Sequence, residues 1–170
     1  ENPLLELQEY ENLQEALKKA KGPVQATGTL DSQKVHLMYW LGKDGGFPWK
    51  LVVTYDDQRA REIYDDFRSF TENVWLYPAK DLLFYSADIH GNLLARQRIS
   101  VLRHLMEDAS GVIVTTLDGL MDHLLLLSQM KKHVLHIENG QELDLDYWKD
   151  QLVRLGYERT AQVDGMGQFS

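Results

Sequence analysis

The chain has 170 residues, a formal net charge of −8, no cysteine and 44% hydrophobic residues. Without cysteine it forms neither disulfides nor thiolate metal sites, and no apolar run approaches the ~18 residues of a membrane span. Because phosphate backbones are bound by clustered basic surfaces, the acidic balance disfavours a primary nucleic-acid binder and favours a protein partner. The expected compartment is the cytoplasm.

The first predicted elements are a capped helix, a strand and a second helix. Asn2-Pro3 fits the cap and first position of a helix, and apolar residues follow at helical spacing until Gly22-Pro23. We predict a short strand from Pro23 to Thr27. A turn at Gly28 then leads into a helix from about Ser32 to Leu41, which ends before a loop.

The middle of the chain alternates between strand and helix. Strands are predicted at Leu51–Tyr55, Val74–Tyr77 and Gly111–Thr115, with helices after Asp56-Asp57, over Asn92–Glu107 and over Leu117–Leu126. An ordered connection is expected from Pro78 to Gly91. Repeated strand and helix in this order is typical of a parallel α/β layer structure.

The pattern changes after Met130. Lys131–Ile137 alternates like a half-exposed strand, and an amphipathic helix around Leu145–Leu155 ends at Gly156 before a second alternating stretch. We therefore predict two domains, 1–125 of α/β class and 126–170 as the start of a small α+β domain. The chain starts without Met and stops within a developing strand, so we expect a piece of a longer, truncated protein.

A partial phosphate-binding motif lies at the turn before the second helix. In the pattern G-x-x-x-x-G-K-[ST], backbone N–H groups and the Lys hold phosphate, and the hydroxyl holds magnesium. Gly28 and Lys34 are in register with this pattern, but Gln33 replaces its second Gly and Val35 replaces its hydroxyl residue. Our interpretation is a P-loop-NTPase-like scaffold with a degenerate nucleotide site. The alternative is that Gly28 only turns the chain and Lys34 is a solvated helix residue.

No other catalytic or metal-binding pattern is present in the sequence. The six histidines include no zinc-protease pair, and no serine lies in the G-x-S-x-G turn of a hydrolase. None of the predicted strands ends in a carboxylate suited to magnesium. We therefore assign no catalytic residue and no metal ligand.

Several short motifs together carry a family resemblance. They are Tyr77-Pro78-Ala79-Lys80-Asp81 with Tyr85, Arg98–Leu105, Val112–Thr116, Leu155–Arg159 and Gly167–Ser170. On these motifs, nearly the whole chain resembles the N-terminal region of bacterial transcription-repair coupling factors, the Mfd family. More distantly it is similar to the excision-repair helicase UvrB.

The resemblance implies a non-catalytic module that recruits UvrA, the damage-recognition ATPase. It implies a UvrB-like domain with a decayed P-loop, followed by a small domain whose surface docks UvrA. Arg159 matches an arginine of the UvrA-contacting surface of UvrB, and Phe169 lies in the last motif. Arg159 could equally be a solvated strand residue, and Phe169 could belong to the core or to the contact.

The resemblance also places other functions outside this chain. ATP and magnesium are cofactors of absent C-terminal motor domains, and RNA polymerase and DNA are contacted only through absent domains. A C-terminal domain of the same chain is expected to mask the docking face. The alternative function is an active ATP-binding, helicase-like domain that acts on DNA.

Overall fold

A computed structural model of the chain describes residues 2–79, 88–121, 124, 126–165 and 167–170, with the backbone alone for 88–92. The chain divides into two compact units, Glu1–Leu124 (unit 1) and Leu125–Ser170 (unit 2). Lys80, Asp81, Tyr85 and most of the predicted connection from Pro78 to Gly91 lie outside the described residues.

Unit 1 begins with two helices where the sequence predicts one. Asn2 caps a short 3-10 helix, Pro3–Glu6, by accepting a hydrogen bond from the backbone N–H of Leu4 at 2.9 Å. The extended backbone of Leu7 then interrupts the helical hydrogen bonding, and α1 runs over Gln8–Lys19. The predicted cap is confirmed, whereas the continuous helix is wrong.

The predicted strand from Pro23 to Thr27 is wrong, because these residues are assigned to neither helix nor strand. Within the described part of the chain, no backbone hydrogen bond joins residues 21–29 to another residue. Pro23 has no N–H for a ladder, and a strand exists only where a neighbouring strand accepts its hydrogen bonds. The segment therefore lacks the partner that would make it a strand.

The rest of unit 1 follows the predicted alternation, but the helix predicted over Leu117–Leu126 spans only Leu117–Leu120, and Met121 and Leu124 lie outside any helix. The elements are α2 Asp31–Asp44, β1 Trp49–Thr54, α3 Asp57–Arg68, β2 Val74–Tyr77, α4 Asp88–Glu107, β3 Gly111–Thr116 and α5 Leu117–Leu120. The Asp56 side chain caps α3, since its Oδ1 accepts from the Arg59 N–H at 2.7 Å. The loop predicted from Gly42 is shorter than expected, because α2 continues to Asp44.

The three strands of unit 1 form a parallel sheet in the order β1-β3-β2. Trp49 pairs with Gly111 and Val74 with Val112, so β3 is the central strand of the three. A core of buried side chains lies between the sheet and helices α2 and α3. Its members are Val35, Ala60, Ile63, Phe67, Val74, Val112 and Val114.

Helix α4 covers the opposite face of the sheet at β2. The Arg98 guanidinium carbon lies 4.3 Å from the centre of the Tyr77 ring, and Trp75 stacks on His104 with ring centres 4.5 Å apart. Helices on both faces of a parallel sheet define the α/β class, so the predicted class is confirmed for unit 1.

Unit 2 has less regular structure than predicted. It contains a short helix α6, Leu127–Met130, a 3-10 turn, Lys131–His133, helix α7, Leu145–Arg154, and two two-residue strands, β4 Glu158–Arg159 and β5 Gln168–Phe169. The helix ending before Gly156 is confirmed, and Gly156 has φ +90° as a C-terminal glycine requires.

The strand predicted over Lys131–Ile137 is wrong. Its alternating residues form a 3-10 turn followed by irregular chain, because alternation gives a half-buried strand only where a sheet neighbour pairs with it. Among the described helices of the whole chain, none combines the length and apolar composition of a membrane span.

Candidate functional site

The predicted phosphate loop is a left-handed turn followed by the first turn of α2. Gly28 has φ +84°, a conformation that favours glycine, and no atom outside its neighbours lies within 4 Å of the position of an added Cβ. Helix α2 begins three residues later at Asp31. A left-handed glycine turn therefore precedes α2, whereas the strand predicted before this turn is absent.

Lys34 is held by a carboxylate within its own helix. Its Nζ lies 2.7 Å from Oδ1 of Asp31, and the Arg59 guanidinium lies 3.5 Å from the same oxygen. The hydrogen bond and charge of Lys34, with the charge of Arg59, hold the pKa of the Asp31 carboxyl below its usual range. An ionised carboxylate thus lies in the first turn of α2, where it pairs with the Lys that the motif would direct to phosphate.

The two residues that depart from the motif have other partners. Gln33 Oε1 accepts a hydrogen bond from the backbone N–H of Leu30 at 3.1 Å, so this amide is already satisfied within the chain. Val35 is 1% exposed and belongs to the core with Ala60 and Ile63. A side chain at position 35 therefore points into packed apolar groups.

The described residues offer no obvious metal centre. Within them, no group of three His, Asp or Glu side chains lies close enough to hold a metal ion. Asp118, the acidic residue after β3, lies in the first turn of α5, which the Thr116 side chain caps by accepting from the Gly119 N–H at 3.2 Å.

A cavity beside the turn was not predicted from the sequence. It has a volume of about 520 Å³ and lies between α1, the chain before α2 and the first turns of α2. Its wall includes Leu4, Leu13, Gln33 and His36. The apolar stripe formed by Leu4, Leu7 and Leu13 was the available signal, since an unburied apolar face borders either a partner or a cavity.

The two residues predicted to contact UvrA are neighbours in unit 2. Arg159 on β4 is the register partner of Phe169 on β5, so both side chains lie on the same face of this small parallel sheet. Arg159 is exposed and Phe169 is half-buried. In the described part of the chain, the Arg159 guanidinium has neither an ion pair nor a hydrogen bond, and it is free to meet an acidic group.

Comparison with known proteins adds an independent observation. The chain is similar to transcription-repair-coupling factors. The factor from Staphylococcus aureus (strain bovine RF122 / ET3-1) is 26% identical over 122 residues, and that from Staphylococcus epidermidis is 27% identical over 122 residues. The match covers 71% of this chain and 10% of each relative. No family model matches the chain.

This similarity confirms the predicted resemblance to transcription-repair-coupling factors. The matched segment is about a tenth of the length of these transcription-repair-coupling factors. The activities and partners of a complete coupling factor therefore come to this chain only as proposals.

Proposed function

We propose that this chain is the non-catalytic N-terminal module of a transcription-repair coupling factor, and that it recruits UvrA to stalled RNA polymerase. Unit 1 is a P-loop-NTPase-like domain whose nucleotide site has decayed, and unit 2 carries the docking surface. The observation that carries the proposal is the similarity to coupling factors over 71% of the chain. The motor, its ATP and magnesium, and the contacts with polymerase and DNA belong to other parts of that protein.

The loss of nucleotide binding is supported by the partners of the motif residues. Lys34 is paired with Asp31, so the cation that the motif would direct to phosphate already has a carboxylate partner. Val35 has neither a hydroxyl nor access to solvent. Of the two groups that a P-loop needs, the Lys is thus paired and the magnesium ligand is missing.

Docking of UvrA is supported by the exposed guanidinium of Arg159 beside Phe169. A planar guanidinium next to an aromatic side chain is suited to a bidentate contact with a carboxylate of the partner. In the complete protein, a C-terminal domain masks this surface until the motor engages polymerase.

The docking role is tested with Arg159→Glu in the whole chain, by measuring UvrA affinity with calorimetry. We expect a loss of about 2 to 5 kcal/mol if the arginine is buried and paired in the complex. Arg61→Glu, the same charge change at an exposed position of unit 1, is the matched control and should leave the affinity unchanged. Full affinity of Arg159→Glu would contradict the assignment of this surface.

The non-catalytic role is tested with a fluorescent ATP analogue and magnesium. We expect no saturable binding by the chain. We also expect none by the double variant Gln33→Gly/Val35→Thr, which restores the motif letters, because position 35 faces the core. Saturable, magnesium-dependent binding that Lys34→Ala abolishes would instead favour the active helicase-like domain.

A further inference from the structure

The cavity of unit 1 has the size and lining of a small-molecule site. Its volume of about 520 Å³ lies within the ~300 to 1,000 Å³ of ligand pockets in proteins. Most of the wall is apolar, with contributions from Leu4, Leu7, Leu13, Val24 and Leu37. The docking function proposed for unit 2 uses none of these residues.

Two polar groups on the wall present hydrogen-bond donors that have no partner within the described chain. His36 Nε2 accepts a hydrogen bond from Trp40 Nε1 at 2.9 Å, so the proton of the neutral imidazole lies on Nδ1. Gln33 uses its Oε1 to accept from Leu30, which leaves its amide NH₂. Among the described residues, neither this NH₂ nor His36 Nδ1 has a hydrogen-bond partner. Both groups are therefore open to an acceptor from a ligand.

The charge around the cavity selects against anions. Glu9 is the one acidic residue among the described residues that line the cavity. A carboxylate or phosphate in the cavity would face the Glu9 carboxylate without a Lys or Arg among the described residues of the wall. A neutral acceptor, such as a carbonyl oxygen, satisfies the donors without this repulsion.

We propose that this cavity binds a neutral, mainly apolar compound of one or two rings, whose carbonyl oxygen accepts hydrogen bonds from His36 and Gln33. The apolar side chains of the wall bury the rings, and the two donors orient the carbonyl. The proposal is independent of UvrA docking, because all of its residues lie in unit 1.

The test compares two probes of the same shape on the whole chain by protein-observed NMR titration. 2-Acetylnaphthalene has the carbonyl acceptor, whereas 2-isopropenylnaphthalene has a CH₂ group in its place. We expect the ketone to bind about 3- to 10-fold more tightly, the range for one or two neutral hydrogen bonds. Equal affinities, or binding of neither probe up to its solubility limit, would overturn the proposal.

Variants locate the binding and assign the donors. His36→Phe keeps a ring against Phe70, whose centre lies 5.4 Å from that of His36, but removes the donor. We expect it to lower the ratio of the ketone affinity to the hydrocarbon affinity towards 1, while the hydrocarbon still binds. Gln33→Met provides the same readout if His36→Phe fails to fold, and a preference retained in every folded variant would refute the donor assignment.

A filling variant distinguishes this cavity from other surfaces. Ala16 lies on the cavity wall, so Ala16→Trp should abolish the binding of both probes. Lys18→Trp is the control, because Lys18 is exposed on the same helix and does not line the cavity. Unchanged probe binding by Ala16→Trp would show that the probes bind elsewhere and would overturn the proposal.

Discussion

The buried phenol of Tyr10 joins the start of the chain to the end of α2. Its hydroxyl donates to Oδ2 of Asp44 at 2.7 Å and accepts from the Asn2 amide at 3.2 Å. Asn2 also donates to the same carboxylate oxygen at 2.6 Å. Because Asp44 lies at the carboxyl end of a helix, where the dipole disfavours a negative charge, these donors offset that repulsion.

Tyr10→Phe is predicted to lower the free energy of unfolding by about 1 to 2 kcal/mol, since it removes one hydrogen bond to a charged group. Urea denaturation measures the change. Tyr147→Phe is the control, because Tyr147 is 55% exposed. A loss no larger than that of the control would show that the network adds nothing to stability.

The same tyrosine predicts how stability depends on alkaline pH. Burial, followed by the hydrogen bond to Asp44, raises the pKa of Tyr10 to about 12. A group whose pKa is higher in the folded state stabilises the fold below its unfolded pKa of ~10, and this stabilisation is lost as the pH rises towards 12. We expect the free energy of unfolding to fall between about pH 10 and 12, and to fall less steeply in Tyr10→Phe.

At the scale of elements, the amino end of the sheet depends on the absence of a side chain at Gly111. The rings of Trp49 and Trp75 lie 5.7 Å apart between their centres and cover the start of β3. A Cβ at Gly111 would collide with the Trp75 ring and lie 2.8 Å from the Trp49 ring. Trp75 is also stacked on His104, so it cannot move away without losing that contact.

Gly111→Ala should therefore destabilise unit 1 by about 1 to 3 kcal/mol, the range for overpacking. Gly22→Ala is the matched control, since no atom lies within 4 Å of an added Cβ there. Urea denaturation and the tryptophan fluorescence of both variants provide the measurement. Equal stability of the two variants would mean that the tryptophans rearrange freely.

At the scale of the whole molecule, the two units differ in how much apolar surface they bury. Unit 1 has a core of fully buried side chains, whereas no described residue of unit 2 is buried. Leu145 and Val153 on α7 are 66% and 56% exposed. Apolar burial is the main term that opposes the loss of chain entropy on folding. Unit 2 therefore lacks the stabilisation that a self-sufficient domain needs.

Separate fragments test this difference. We expect residues 1–124 to unfold in one cooperative thermal transition and residues 125–170 to show none by circular dichroism. If UvrA binds unit 2 as proposed, adding UvrA should order the second fragment. A cooperative transition in 125–170 alone would contradict the inference from burial.

Much of unit 1 could be predicted because its signals are local. The strands β1, β2 and β3 are short apolar runs, and the Asp56 cap acts within a few residues of its own position, as does the Gly156 terminator in unit 2. The strands predicted at Pro23–Thr27 and Lys131–Ile137 failed for the opposite reason. A strand needs a partner that is distant in the sequence, and propensity does not supply one.

The sequence by itself determined the α/β alternation, the departures of Gln33 and Val35 from the phosphate-binding motif, and the likeness to coupling factors. Only the tertiary structure decided that Lys34 meets Asp31, that Val35 enters the core and that Arg159 lies beside Phe169 in exposed chain. It also revealed the cavity. The sequence specifies the identity and spacing of the residues, whereas the partner of a side chain depends on which distant segments fold against it.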